Sequence, residues 1–300
     1  MKIKNVVMIG RGAIGVIFGT FFQKGLGPDH FAFICDEKRK ERYTKEGIIF
    51  NGEPYDFRYM TSQEANEKAD LIILCTKYTA IQEAIEEMRP FVKEDTIILS
   101  TMNGLKSEDD LRQIFGRQKV VRCIAQKMSS VYTGNEVTAS PIGELVIGAE
   151  DPIDEQNVAT LKECFDEIQL PYHIAKDIKK EAMSKLMLNC GINQTCAAYH
   201  LKYKDVQKEG KMRDAVVATM HEVQAAALKM GIVLDDDDFA FWMKAIDALD
   251  PEGMPSMAQD VLAHRPTEIE IFAGYIVPLA HQYRIDVPYN EKYLSLFKQK

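Results

Sequence analysis

Val6-Val7-Met8-Ile9 runs without a break into Gly10-Arg11-Gly12-Ala13-Ile14-Gly15, an apolar strand feeding a glycine-rich turn that opens a helix. Each glycine of such a turn has its own steric task. The first permits the tight bend, the second lets the backbone approach a pyrophosphate, and the third lets the helix pack on the strand. Amide hydrogens at the helix start and the positive end of its dipole then stabilise a diphosphate. The turn therefore predicts a dinucleotide-binding domain whose cofactor loop is Gly10, Arg11, Gly12, Ala13, Ile14 and Gly15. A bare structural turn is the simpler alternative, but a second strand pattern follows directly, at Phe31 to Cys35.

The rest of the first half repeats that alternation. Leu71 to Cys75, Thr96 to Ser100 and Val120 to Ala125 are short, nearly continuous apolar runs separated by helical segments, the pattern of a parallel sheet buried on both faces. Asn51-Gly52 between two β-rich runs is a hairpin signal, and Gly143 to Gly148 is a further β candidate. From about Ile178 onward the β signature fades. Helical patterns take over at Glu181 to Tyr199, Lys211 to Met230 and Thr267 to Tyr283. The expected architecture is an α/β Rossmann-type doubly wound domain over residues 1–176, followed by an all-α C-terminal domain over residues 177–300. Three hundred residues at 46% hydrophobic and 27% charged suffice for two such cores.

A formal charge of −8 argues against nonspecific binding to nucleic acid or to an anionic membrane. No stretch approaches the roughly 18 apolar residues of a membrane span, and the short N-terminal run lacks a cleavage signal. The six cysteines show no C-x-x-C spacing and mostly sit in apolar runs, so they read as reduced hydrophobes in a cytoplasmic protein. Asp235 to Asp238 is an acidic run whose spacing matches no calcium loop; it reads as a solvated helix start, and no metal site is expected.

The chemistry is expected in the second half. Lys185, Asn189 and Asn193 recur every four residues, which returns them to one side of a helix. Their neighbours Leu186, Met187, Leu188, Cys190 and Ile192 belong in a core, so an ammonium and two carboxamides among them need partners. A ligand would supply these, although helix-to-helix hydrogen bonding or a snorkelling lysine are the plainer readings. At the other end of the expected cofactor, Asp36 closes the second strand. A carboxylate there accepts hydrogen bonds from ribose hydroxyls and favours NAD(H). Lys38 and Arg39 pull toward NADP(H) if the loop folds back onto a 2′-phosphate, and the whole Asp36 to Lys40 run also reads as a solvated helix start.

Taken together, the glycine turn, Thr76-Lys77, Asn103-Gly104, Lys185-x-x-x-Asn189-x-x-x-Asn193, Ser256-Met257 and Arg265-Pro266-Thr267-Glu268-Ile269-Glu270 resemble the ketopantoate reductase (2-dehydropantoate 2-reductase) family along the whole chain. The resemblance implies Lys185 as the catalytic general acid. It implies Glu268 as the group that holds the substrate hydroxyl and helps place that lysine. Asn189, Asn193 and Ser256 would bind substrate, and Lys77 and Asn103 would stand at the nicotinamide and ribose side, with Asn103 and Glu268 also near substrate and cofactor. NADP(H) is the cofactor implied by the family, with NAD(H) left open by Asp36.

The chain departs from the family pattern in three places: Cys35-Asp36 where an arginine is frequent, Ala80 in place of a glutamine, and Tyr203 in place of a substrate-side asparagine. The expected activity is reduction of ketopantoate to pantoate, a step of pantothenate and coenzyme A synthesis. The cleft would lie between the domains. The alternatives are a related dehydrogenase of another small 2-oxo or hydroxy acid, or a dinucleotide sensor without turnover; pairing Lys185 with Glu268 favours an enzyme. The expected partners are a small 2-oxo acid and, through exposed helices of the second half, a second copy of the chain as a homodimer.

Overall fold

The computed structural model describes residues 2–298. Along the first part of the chain run β1 (Val6–Ile9), α1 (Ala13–Leu26), β2 (Phe31–Ile34), α2 (Glu37–Glu46), β3 (Ile48–Phe50), β4 (Glu53–Tyr55), β5 (Tyr59–Met60), β6 (Leu71–Leu74), α3 (Ile81–Met88), β7 (Ile97–Ser100) and α4 (Lys106–Phe115). They are followed by β8 (Arg122–Thr133), β9 (Glu136–Gly148), α5 (Glu155–Glu167) and β10 (Tyr172–Ile174). The remainder is helical: α6 (Ile178–Tyr199), α7 (Tyr203–Gln207), α8 (Lys211–Lys229), α9 (Asp236–Asp247), α10 (Ser256–Leu262), α11 (Ala273–Gln282) and α12 (Pro288–Lys298). The chain divides into two compact units. One runs through Asn103 and again from Ser107 to Ile178; the other comprises Gly104–Lys106 and the chain from Lys179 onward.

In the first unit a parallel sheet has the order β5-β2-β1-β6-β7. Every residue of β1, β2, β6 and β7 is buried, which is why these quartets are apolar throughout rather than alternating. The two-residue period still sorts them by face. Val6 and Met8 join Phe18, Phe31, Phe33, Leu145 and Phe165 on one side, while Val7 and Ile9 join Ile81, Ile85, Met88 and Leu111 on the other. β1 pairs with β2 on one flank and with β6 on the other. The order reverses at β1, so the turn leaving its carboxyl end lies at the crevice where open α/β sheets take ligands.

A second sheet, β10-β9-β3-β4 with β8 against β9, lies in the same unit. Val120 to Ala125, expected as another parallel strand, instead starts β8, which pairs antiparallel with β9 from Arg122↔Gly148 to Thr133↔Glu136. Only Val120 keeps a parallel bridge, to Ile98. The hairpin at Asn51-Gly52 forms as expected, with Ile48 opposite Tyr55. Arg122 enters β8 buried: its guanidinium meets Glu150 through Nε, Asp109 at 3.1 Å and Glu108 at 3.8 Å.

In the second unit, helix α6 begins at Ile178 and ends at Tyr199, close to the expected span. The expected helix from Thr267 to Tyr283 is shorter. Its first part is a single 3-10 turn at Ile269–Ile271, and α11 begins only at Ala273. The acidic run is a helix start: Asp235 accepts from the Asp238 amide, and Lys180 reaches both carboxylates at 3.1 and 2.8 Å. None of the six cysteines is in a disulfide, and five are buried. Among the described residues no helix is long and apolar enough to cross a membrane.

Candidate active site

The glycine turn is built by contact. A Cβ on Gly10, whose φ is +101°, would stand 2.7 Å from the Cys75 carbonyl, and one on Gly15 would stand 2.0 Å from the Gly10 oxygen. Both positions therefore exclude any side chain. Gly12 has nothing within 4 Å of its would-be Cβ, and it opens α1 with no side-chain cap and no acidic residue in the first turn. That helix start, whose first amides have no intrahelical acceptor, follows directly on a groove lined by Gly10, Arg11, Gly12, Thr76 and Lys77. Thr76 Oγ1 is buried in it without a hydrogen-bond partner among the described residues. Steric clearance over Gly12, an uncapped helix dipole and an orphaned hydroxyl are the features that a pyrophosphate with its ribose would fit.

Two residues of the expected cofactor set are engaged within the protein. Arg11 has only 1% of its side chain exposed. Its guanidinium donates to Gly47 O at 3.0 Å, Tyr59 Oη at 3.1 Å and Tyr132 Oη at 3.3 Å, and it stacks 3.8 Å from the Tyr43 ring centroid. Its guanidinium is thus not open to a diphosphate, which would have only the backbone amides of the turn, and the arginine ties the turn to α2, β5 and β8. Asp36 caps α2. Its Oδ1 accepts from the Arg39 amide at 2.8 Å, and its Oδ2 faces Arg39 Nε at 3.3 Å. Asp36→Ala should accordingly cost about 0.5–2 kcal/mol of stability by loss of the cap, read as a lower urea midpoint; an unchanged midpoint would show that the cap contributes nothing. Lys77 is exposed and precedes the short turn Tyr78–Ala80, whose Tyr78 hydroxyl donates to Asp110 at 2.6 Å. Asn103 is half-buried on the segment leaving β7.

In the second unit α6 carries two polar stripes. Gln194 and Thr195 are wholly buried and fully engaged: Gln194 bonds Cys190, Asn290 and the Ala273 amide, and Thr195 meets Tyr293 Oη at 2.9 Å. They are structural, and spacing alone does not separate them from the other stripe. The Asn189–Asn193 stripe is different. Ser256 Oγ and the Met257 amide both point at Asn193 Oδ1 at 3.4 Å, and Asn193 Nδ2 donates to Asn189 Oδ1 at 3.1 Å. This chain of carboxamides runs in one direction and ends at Asn189 Nδ2, which is buried and has no partner among the described residues. A buried amide donor left unmatched is costly unless something accepts from it.

Lys185 lies one helical turn before Asn189 on that face and is half-buried. Glu268 is 8% exposed and immediately precedes the Ile269–Ile271 turn, with its carbonyl accepting from the Ile271 amide at 3.1 Å. Gly104, at φ +82°, leaves room for the Ile271 carbonyl, which a Cβ there would approach to 2.8 Å. The Asn103-Gly104 pair is thus a glycine requirement in this chain, set by the turn that follows Glu268.

The comparisons with known proteins cover both units. A 2-dehydropantoate 2-reductase of Aquifex aeolicus is 26% identical over 99% of this chain and 97% of that protein. Among solved structures, a 2-dehydropantoate 2-reductase from Geobacter metallireducens superposes with a TM-score of 0.86 at 24% identity, covering 98% of this chain and 99% of that one. A ternary structure of D-mandelate dehydrogenase with NADH and anilino(oxo)acetate superposes with a TM-score of 0.87 at 21% identity, over 98% and 97%. Residues 6–152 match the family model of ketopantoate reductase PanE/ApbA, and residues 177–300 match the model of its C-terminal part. With glycine turn, carboxamide helix and both family models in register along one chain, the protein belongs to the ketopantoate reductase family.

Proposed function

We propose that the protein reduces the keto group of a small 2-oxo acid, with 2-dehydropantoate as the leading substrate and pantoate as product, a step toward pantothenate and coenzyme A. The observation that carries this reading is the directed carboxamide chain ending at Asn189 Nδ2. It offers a neutral donor to a carboxylate or hydroxyl without adding charge to a site that must also hold a cation. The α1 amides, with Gly12 beneath, would hold the diphosphate of a nicotinamide dinucleotide, and Lys77 and Asn103 its nicotinamide and ribose side. That cofactor, when bound, supplies the hydride.

The chain's own residues do the rest. As the carbonyl carbon gains a hydride its oxygen becomes basic, and Lys185 Nζ delivers the proton that completes the alcohol. Glu268 holds the substrate hydroxyl and steadies the ammonium. Asn189, Asn193 and Ser256 orient the acid so that one face of the ketone is presented. Asn189→Ala should raise the KM for the 2-oxo acid by about tenfold, the worth of a hydrogen bond to a charged group, with kcat moved less. Unchanged KM would take Asn189 out of substrate binding.

A second reading has specific support. D-mandelate dehydrogenase superposes as well as the pantoate enzymes do, and Tyr203 sits with its ring beside Gly253, on the segment leading into Ser256. An aromatic ring there suits a 2-oxo acid with an apolar or aryl substituent. The deciding experiment follows NADH and NADPH oxidation separately with ketopantoate, 2-oxoisovalerate and benzoylformate. Preference for benzoylformate moves the assignment to a D-2-hydroxy acid dehydrogenase. Oxidation with none of the three overturns the reductase reading in favour of a dinucleotide sensor.

A further inference from the structure

We propose that Glu83 and Glu87, presented by α3 beside the end of β2, make this protein select NADH over NADPH. The proposal rests on the reading that the glycine turn holds a nicotinamide dinucleotide. The groove at that turn does not end at Thr76 and Lys77; it continues past Cys35 to Arg39, Ala80, Glu83, Ala84 and Glu87. Glu83 and Glu87 are one helical turn apart and face the same way. Together with Asp36 they bring carboxylate oxygens within 4.8 Å of one another. In a dinucleotide laid from the α1 amides along the sheet, the adenosine ribose falls at the end of β2, which is where these groups gather.

Of the cations near the end of β2, Arg39 is already taken, while Lys38 and Arg42 line a neighbouring pocket with Asp36 and Glu37. Arg39 donates to Glu83 Oε1 at 2.8 Å, and its Nε lies 3.3 Å from Asp36 Oδ2. At the α3 end of the groove Glu83 and Glu87, with Asp36 beside them, outnumber Arg39, and Lys38 and Arg42 stand on the other side of Asp36, so a phosphate placed against the glutamates meets repulsion rather than a clamp. A ribose 2′-hydroxyl is a neutral donor and needs an acceptor. Asp36 is committed to capping α2, but Glu87 is half-buried and accepts no hydrogen bond among the described residues. Burial, with Glu83 and Asp36 close by, pushes its carboxyl above the usual range, the condition of a group that gains from a hydroxyl donor and loses from a further negative charge.

The test is binding without substrate. Titrating wild-type protein with NADH and with NADPH, by nicotinamide fluorescence or calorimetry, should give NADH the tighter binding by tenfold or more. Glu83→Gln with Glu87→Gln should shrink that ratio by about tenfold or more, chiefly through gained NADPH affinity, because Arg39 is released and two negative charges are removed. The wild-type ratio should also fall as salt is raised, since the discrimination is electrostatic. Tighter NADPH binding by the wild type, or a ratio unmoved by the double substitution, overturns the assignment of these glutamates while leaving the reductase reading intact. Failure to bind either dinucleotide overturns both.

Discussion

Lys185→Ala should lower kcat by about 10²–10⁴, the usual worth of a positioned general acid, while dinucleotide affinity stays nearly intact. The split follows from where the residue stands. Lys185 belongs to the helix of the second unit, on the face that carries Asn189 and Asn193, whereas the glycine turn and its groove are built from the first unit alone. On the proposed mechanism, removing the ammonium takes away both the proton donor and the positive charge at the oxygen, and these would act as charge develops there rather than when substrate binds. Loss in kcat should therefore exceed any rise in KM. Lys185→Arg separates the two contributions. Guanidinium keeps the charge but does not give up its proton at neutral pH, so this variant should bind substrate like the wild type and still turn over slowly. Wild-type turnover in Lys185→Ala would remove the residue from the mechanism and leave the carboxamides as a binding site only.

How much of this was legible in the sequence depends on whether a residue's environment is set by its near neighbours. The quartets at Val6, Phe31, Leu71 and Ile97 are buried on both faces, and that condition writes itself into continuous apolar runs. The glycine turn is legible because part of its demand is local, Gly15 against the Gly10 oxygen, although Gly10 itself is fixed by the Cys75 backbone at the end of β6. Of the long hairpin of β8 and β9 only the two apolar ends, Val120 to Ala125 and Gly143 to Gly148, are legible as β; Gln126 to Thr133 is mostly exposed and polar, with nothing in composition to mark a strand. Thr267–Phe272 mimicked a helix through its apolar spacing, but the chain there makes only a 3-10 turn before α11.

The site shows the same division. Lys185, Asn189 and Asn193 stand out against apolar neighbours, so the stripe could be found; that Gln194 and Thr195 are satisfied while Asn189 is not depends on Asn290, Ala273 and Tyr293, about 80 to 100 positions away. Arg11 reads as part of the cofactor loop, yet its guanidinium is claimed by groups at positions 43, 47, 59 and 132. Glu83 and Glu87 look like the solvated side of an amphipathic helix. A four-residue spacing of like charges was the available signal, but only the fold brings that side to the end of β2.

Arg122→Met should destabilise the first unit by about 3–5 kcal/mol, the cost of stranding buried partners when one member of an ion-pair network is removed. Arg122 is 4% exposed, Glu150 3% and Glu108 not at all, so solvent cannot replace the lost guanidinium. Burial works to raise the Glu150 carboxyl, but Arg122 and Arg112 outweigh it and hold it at about 2. For Glu108 burial prevails over Arg122 and pushes it up to about 7. The signs differ accordingly. Glu150, below its unfolded value of 4.5, adds stability above that pH and loses it as pH falls toward 2. Glu108, above 4.5, adds stability at low pH and loses it as pH rises through 7. Without Arg122 both carboxyls move upward, so the variant regains stability by taking up protons on folding as the pH drops. The gap between wild type and variant should be widest at pH 8 and narrower at pH 5.5, measured by urea unfolding followed by circular dichroism and by hydrogen exchange in α4 and β8. A gap of equal size at both pH values would mean that the arginine contributes packing alone, and that its charge does not compensate the buried acids.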